Sequence, residues 1–155
     1  MFALVLLTML PFVWFGMITA ISFIETPLKF KAPGMTHALG VGIGRLVFKA
    51  LNMVEAAIVV FIVGAWTQRQ DLVTLPIGIL LAVPILALAM QTVIIRPAMA
   101  KRTKALSETA LRPSGSTAVQ PKVATATHLA YIGSEALKVV TLPIAGILIV
   151  LAVAA

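Results

Sequence analysis

The 155-residue sequence has no cysteine and little charge, with 12 Lys and Arg against 5 Asp and Glu. The absence of cysteine excludes disulfides, thiolate metal sites and cysteine nucleophiles. Charged residues make up 11% of the chain, whereas a soluble domain has roughly 25%. So little charge argues against an ordinary soluble domain.

Apolar residues are abundant instead, at 61% of the chain with a mean hydropathy of +1.09. A helix needs about 20 apolar residues to cross roughly 30 Å of hydrocarbon. Four runs meet this requirement, and no strand pattern is visible. The sequence therefore predicts one domain over residues 1–155, an all-α membrane protein with four transmembrane helices in a bundle. The predicted spans are 2–24, 38–66, 72–95 and 123–153.

The segments between the spans carry most of the turn-forming residues. The first apolar run has no basic n-region and is longer than a usual signal h-region, so we expect a retained helix. Two prolines and a glycine predict a loop, or a short surface-lying piece, over 25–37. Residues 96–122 are predicted to form a cytoplasmic segment that contains a short surface helix from Pro97 to Leu111.

Basic residues set the predicted orientation. The second connection holds only Arg69, whereas the first and third connections hold Lys29, Lys31, Arg96, Lys101, Arg102, Lys104, Arg112 and Lys122. By the positive-inside rule, both termini lie on the non-cytoplasmic side of a bacterial-type cytoplasmic (inner) membrane. The net charge of +7 then predicts contact with anionic lipid headgroups rather than with nucleic acid.

Span two contains an unexpected polar stripe in GIGRLVFKALNMVE, residues 42–55. At 100° per residue, Arg45, Lys49 and Asn52 fall within about 60° of one another, with Glu55 beside them. A charge at the centre of a membrane helix costs at least about 2.5–3.5 kcal/mol. The stripe is therefore expected to face the interior of the bundle.

Span four has a matching stripe of His128, Tyr131, Glu135 and Lys138, about 80° wide. Both stripes begin on the cytoplasmic side, so Glu55 and Lys138 each reach roughly 14 Å into the hydrocarbon. Equal depth and opposite charge predict a buried Glu55–Lys138 ion pair.

Three residues from the other spans are expected to support this pair. Glu25 ends span one, and Gln91 and Arg96 close span three at the same level. Arg45 and Lys49 lie shallower, where either side chain is within reach of Glu135 or Glu25. The pattern predicts a polar cavity in the cytoplasmic half of the bundle.

Two interpretations of these residues stay open. In the structural one, the charges only fix the register of the helices, and Lys49 extends to the headgroups. In the functional one, the cavity binds a small molecule or a lipid, because intramembrane ionisable residues mark functional sites by default. The candidate substrate-binding residues are Arg45, Lys49, Asn52, His128, Tyr131 and Glu135.

Other motifs are weaker. Gly40 and Gly44 have the GxxxG spacing of closely packed membrane helices, and a lipid phosphate beside Gly42 is an alternative. His37 and His128, the only histidines, are candidate axial haem ligands, although no cofactor and no other metal site is predicted. No nucleophile elbow accompanies the serines, so an enzyme is disfavoured.

Four stretches resemble small four-helix membrane proteins of the transmembrane protein 205-like family. They read FGMITAISFIETPLKF, GIGRLVFKALN, RPAMAKRTKALSE and THLAYIGSEALKVVTL. The counterparts of the family's pattern are Gly16, Pro27, Gly44, Phe48, Pro97, Met99 and His128. The resemblance covers most of the chain and implies four spans with no settled enzyme activity.

The leading hypothesis is a non-enzymatic membrane protein that binds or transports a polar or amphiphilic small molecule through the cytoplasm-facing cavity. A second hypothesis is an assembly or scaffold protein whose charges only lock the bundle and whose Pro97–Leu111 helix docks a partner. A homo-oligomer or a membrane partner is possible in either case. A third is a redox protein that uses haem or quinone.

Overall fold

The computed structural model describes the backbone of residues 1–95, 97 and 122–154. It also describes the side chains of these residues, except those of residues 37, 38 and 122–128. The described ranges contain helices and turns but no strand, which confirms the all-α prediction. The α-helices are α1 (Phe2–Ile18), α2 (Thr26–Lys29), α3 (His37–Gln68), α4 (Leu75–Met90) and α5 (Lys122–Ala154), and π-helical segments cover Thr19–Glu25 and Gln91–Ile95. The predicted surface helix at 97–111 lies outside the described residues.

Four helical stretches are long and apolar enough to cross a bilayer. They are Phe2–Lys29, Leu39–Gln68, Leu75–Ile95 and Leu129–Ala154, and their most apolar windows have mean hydropathies of 2.2 to 2.5. The outer face of the bundle is apolar too, with Leu46 and Val93 71% and 72% exposed. Exposed apolar surface on this scale is suited to lipid rather than water. The chain is therefore a multi-pass membrane protein.

The first span is longer than the sequence predicts. The loop expected from Glu25 onward begins only after Lys29, because the π-helical segment and α2 continue the helix. Pro27 lies in α2 and thus inside this continuous helical stretch, where its missing N–H leaves a carbonyl of the preceding turn without a helical donor. A turn with Gly34 at a φ of +76° then leads to α3, whose N-cap Thr36 accepts a hydrogen bond from Leu39 N.

The third span begins later than predicted. It starts at Leu75 rather than at residue 72, because Arg69 and Gln70 accept backbone hydrogen bonds in a turn that extends to Val73. Pro76 occupies the first turn of α4 and does not interrupt the span. Pro84, in contrast, lies inside α4.

The helices pack as a ring. Helix α5 packs against α1 and α4, and α3 contacts the same two helices from the opposite side. Helices α3 and α5 therefore face each other across the middle of the bundle. One half of the interior is apolar and holds Leu7, Trp14, Ile18, Ile58, Ile62, Ala65, Ile77, Leu81, Leu142, Ala145 and Ile149. The other half contains the polar residues described next.

Candidate functional site

A buried polar centre lies beside the apolar core. We define it as Trp14, Ser22, Glu55, Gln91, Ser134, Glu135 and Lys138, with contributions from all four spans. Glu55, Gln91 and Lys138 are 0% exposed and Glu135 is 1% exposed. Three ionisable side chains are thus held away from solvent inside the bundle.

Lys138 is the hub of this centre. Its Nζ lies 2.7 Å from Glu55 Oε1, the pair that the two stripes predict, and 2.7 Å from Glu135 Oε1. The ammonium also donates to Gln91 Oε1 at 3.0 Å. An ammonium has three donors, so these three acceptors satisfy Lys138 completely.

Glu135 has partners on both carboxylate oxygens. Its Oε1 accepts a hydrogen bond from Gln91 Nε2 at 2.6 Å in addition to the Lys138 contact. Its Oε2 accepts one from Ser22 Oγ at 2.8 Å. Gln91 Nε2 also donates to Ser134 Oγ at 2.6 Å. Glu135 is therefore bound from spans one, three and four together.

Glu55 is bound on one oxygen only. Its Oε1 accepts a hydrogen bond from Trp14 Nε1 at 2.7 Å and one from Lys138 Nζ. Its Oε2 is buried without a hydrogen-bond partner in the part of the chain described. The same holds for Oδ1 and Nδ2 of Asn52, which is 4% exposed and precedes Glu55 by one helical turn. These unsatisfied atoms of Asn52 and Glu55 thus lie one turn apart on α3.

Two members of the centre lie in the π-helical segments. Ser22 falls within Thr19–Glu25, and Gln91 opens Gln91–Ile95. In the first segment, Thr26 Oγ1 donates to the carbonyl oxygen of Ile21, five residues back, at 2.9 Å. A π-helical turn contains an extra residue and changes the direction of the side chains around it, and such turns are frequent at functional sites.

A second cluster lies closer to the start of α3. Lys29 Nζ is 3.2 Å from Glu25 Oε2 and lies 5.8 Å and 5.7 Å from the ring centroids of Phe30 and Phe48. Tyr131 packs edge-on against Phe48, with ring centroids 5.3 Å apart. This cluster joins the end of span one to α3 and α5.

Several predicted site residues lie elsewhere than expected. Arg45 and Lys49 are exposed on α3 rather than in the buried centre. Glu25 contacts Lys29 and Thr26, and Glu135 contacts Lys138, Gln91 and Ser22. The polar stripe of α3 is therefore divided, with an exposed basic part and a buried part that begins at Asn52.

Three further predictions fall on parts that are not described. Arg96 and the side chains of His37 and His128 lie outside the described residues. The haem-ligand hypothesis therefore stays a prediction. Among the described residues, no group of three or more His, Cys, Asp and Glu side chains could hold a metal ion.

Sequence reasoning missed four participants: Trp14, Ser22, Ser134 and Lys29. Trp14 and Ser22 are eight residues apart, which places them within about 80° on one face of a helix. The sequence therefore already indicates that these two side chains point in a similar direction. The i, i+4 spacing of Glu25 and Lys29 is a usual helical pair, but it is visible only once the helix is known to continue past Glu25.

The polar centre is closed in this structure. Four of its side chains, those of Trp14, Glu55, Gln91 and Lys138, have no exposed surface. The open cavity that the sequence predicts is therefore not present at these residues. A surface groove of about 400 Å³ lies nearby, lined by Ala20, Ile24, Glu25, Leu28, Lys29 and Ala32. It borders the Lys29 cluster and does not include any member of the centre.

Comparison with known proteins gives no match: no family model, no curated protein and no solved structure is similar to the chain.

Proposed function

We propose that this membrane protein binds a polar or amphiphilic small molecule at the polar centre and carries it between the two sides of the membrane. The observation that carries the proposal is the set of unsatisfied polar atoms on α3: Asn52 Oδ1, Asn52 Nδ2 and Glu55 Oε2. These atoms lie within one turn of the same helix. They offer donor and acceptor groups to a ligand.

The energetic argument concerns what burial costs. A buried donor or acceptor without a partner costs about 1–3 kcal/mol. Three such atoms lie on Glu55 and the neighbouring Asn52, in addition to the three ionisable groups of the centre. An apolar centre of the same volume is often as stable as a buried ion pair, or more stable. A polar centre with open hydrogen-bonding positions is therefore better explained as a binding site for a ligand than as a feature that stabilises the fold.

The exposed residues of α3 supply a route to this centre. Lys49 and Arg45 lie one and two turns before Asn52, on the end of the bundle that the positive-inside rule assigns to the cytoplasm. An anionic headgroup held there would place an attached polar group near Asn52. Tyr131 stands one turn before Ser134 on α5 and lines the same approach through its contact with Phe48.

A second candidate function, an assembly protein whose charges lock the bundle, is favoured by one observation. All three donors of Lys138 are satisfied by the protein itself, as expected for a register lock. The two candidates differ in what happens when the whole centre is made apolar, since a lock has no ligand to lose.

The test uses an apolar-centre variant that carries Trp14→Phe, Glu55→Met, Gln91→Leu, Glu135→Met and Lys138→Met. Replacing these residues together leaves no unpaired charge in the centre, whereas a Glu55/Lys138 double substitution would leave Glu135 without its cation. Thermal unfolding of both proteins is measured in dodecyl maltoside with hexylammonium, hexyl phosphate and hexyl glucoside. These probes share a chain length and differ in headgroup charge.

We expect at least one probe to raise the unfolding temperature of the wild-type protein but not that of the variant. A ligand present at 100 times its Kd stabilises the folded state by about 2.7 kcal/mol. If no probe discriminates between the two proteins while the variant remains folded, the assembly function replaces the transport proposal.

A further inference from the structure

The formal charges of the polar centre do not balance. Glu55 and Glu135 carry two negative charges when ionised, and Lys138 supplies one positive charge, all within side chains that are at most 1% exposed. Among the described residues, the ion pairs Lys29–Glu25 and Arg69–Asp71 lie outside this centre. One uncompensated negative charge would remain at membrane depth, where an unpaired charge is strongly disfavoured.

The hydrogen bonds indicate where a compensating positive charge belongs. Both oxygens of Glu135 already accept hydrogen bonds, from Lys138 and Gln91 on one side and from Ser22 on the other. Glu55 Oε1 accepts from Trp14 and Lys138. Glu55 Oε2 is the carboxylate oxygen of the centre without a described partner.

A proton fits this position better than a metal cation. Hard cations such as Mg²⁺ and Ca²⁺ take about six or more oxygen ligands, whereas the oxygens without a partner beside Glu55 are its own Oε2 and Asn52 Oδ1. A proton needs only one oxygen that it is bound to and one further oxygen that accepts a hydrogen bond from it. A protonated carboxyl group is a hydrogen-bond donor. The unsatisfied acceptor that is nearest to Glu55 along α3 is Asn52 Oδ1, one helical turn away.

We propose that the polar centre is a proton-binding site, in which Glu55 Oε2 holds one proton at neutral pH and Asn52 is the acceptor beside it. The charged groups that face Glu55 are Lys138 and Glu135, both from α5, while α1 contributes Trp14 and span three contributes Gln91, which are neutral. With the proton bound, the remaining charges of Glu135 and Lys138 cancel. This proton site does not depend on the proposed transport, although a ligand at the centre would compete with the proton for Glu55 Oε2 and Asn52 Oδ1.

Infrared spectroscopy of the protein in dodecyl maltoside, which has no ester carbonyl, tests the site. The chain has only five carboxyl side chains, and ordinary ones are ionised at pH 7. We expect a carbonyl band of a protonated carboxylic acid at pH 7, which Glu55→Gln removes without loss of helical circular dichroism. Removing the proton at high pH should convert the band to carboxylate absorption.

Two matched variants identify the carboxyl that carries the proton. Trp14→Phe removes a donor to Glu55 and is expected to shift the band, whereas Ser22→Ala removes a donor to Glu135 and should leave it unchanged. These variants keep the test decisive if Glu55→Gln does not fold.

Three results would overturn the proposal: no protonated band at pH 7, a band that Ser22→Ala shifts, or a band that disappears when Na⁺ replaces choline in the buffer. The last result would assign the site to a metal cation.

Discussion

Glu55 and Lys138 meet at 2.7 Å across the middle of the bundle, although their helices α3 and α5 pack mainly against α1 and α4 rather than against each other. The contact is therefore made by two long side chains that reach inward from opposite sides. Trp14 and Gln91, from the helices in between, each bond to one member of the pair. Residues from all four spans thus hold a single group of charges.

Removal of Lys138 alone should be severely destabilising. Lys138→Met leaves two buried carboxyl groups without their cation, and breaking a buried ion pair in this way costs about 3–5 kcal/mol. Equilibrium unfolding in mixed micelles of dodecyl maltoside and dodecyl sulfate measures the loss. Arg69→Met is the control, because it breaks an exposed pair with Asp71. Equal losses in both variants would show that burial does not govern the effect.

Trp14→Phe should lower stability through the loss of one buried hydrogen bond to Glu55. A hydrogen bond between neutral groups contributes about 0.5–1.5 kcal/mol, and Trp14 Nε1 donates to Glu55 at 2.7 Å from a fully buried position. The same unfolding assay applies. Trp66→Phe is the matched variant at the chain's other tryptophan, which is only partly buried, and we expect it to have the smaller effect.

The cluster around Lys29 should stabilise the junction between span one and α3. Lys29→Met removes the ion pair with Glu25 and the contacts with the rings of Phe30 and Phe48. Cation–π contacts contribute about 0.5–2 kcal/mol, depending on burial. Lys31→Met, at an exposed position two residues away, carries the same charge change. If both variants lose the same stability, net charge and not the cluster is responsible.

The turn between α3 and α4 should make a small, acid-sensitive contribution. Arg69 donates to both carboxylate oxygens of Asp71, and these hydrogen bonds lower the pKa of Asp71 below its usual value. A carboxyl with a lower pKa in the folded state stabilises the protein above its unfolded-state pKa. The contribution is lost as the pH falls through the folded-state pKa. Stability of wild type and Asp71→Asn should therefore converge at acidic pH, and a constant difference would contradict the pairing.

The four spans and the Glu55–Lys138 contact were readable from the sequence for physical reasons. Long apolar runs have one common structural solution in a bilayer. Two charges of opposite sign at equal depth on helices that start from the same side then have few partners other than each other. Composition and helical periodicity are local properties, and both can be read from a single chain.

The rest of the centre depends on packing that the sequence does not display. The burial of Trp14 beside Glu55 follows from the ring order of the helices, and the positions of Ser22 and Gln91 follow from the π-helical segments. Similarly, Arg45 and Asn52 share a helical face but not an environment, because one is exposed and the other is 4% exposed. The angular position of a residue on the helix does not by itself tell an exposed residue from a buried one.

The fluorescence of Trp14 tests most directly whether a ligand reaches the polar centre. The chain has two tryptophans, so Trp66→Phe leaves Trp14 as the sole reporter, hydrogen-bonded to Glu55. The protein is titrated with hexylammonium, hexyl phosphate and hexyl glucoside in dodecyl maltoside. We predict a saturable change in Trp14 emission with each probe that raises the unfolding temperature. The Kd from the emission change should equal the Kd from the thermal stabilisation by the same probe. Stabilisation by a probe that leaves Trp14 emission unchanged would contradict binding at the centre.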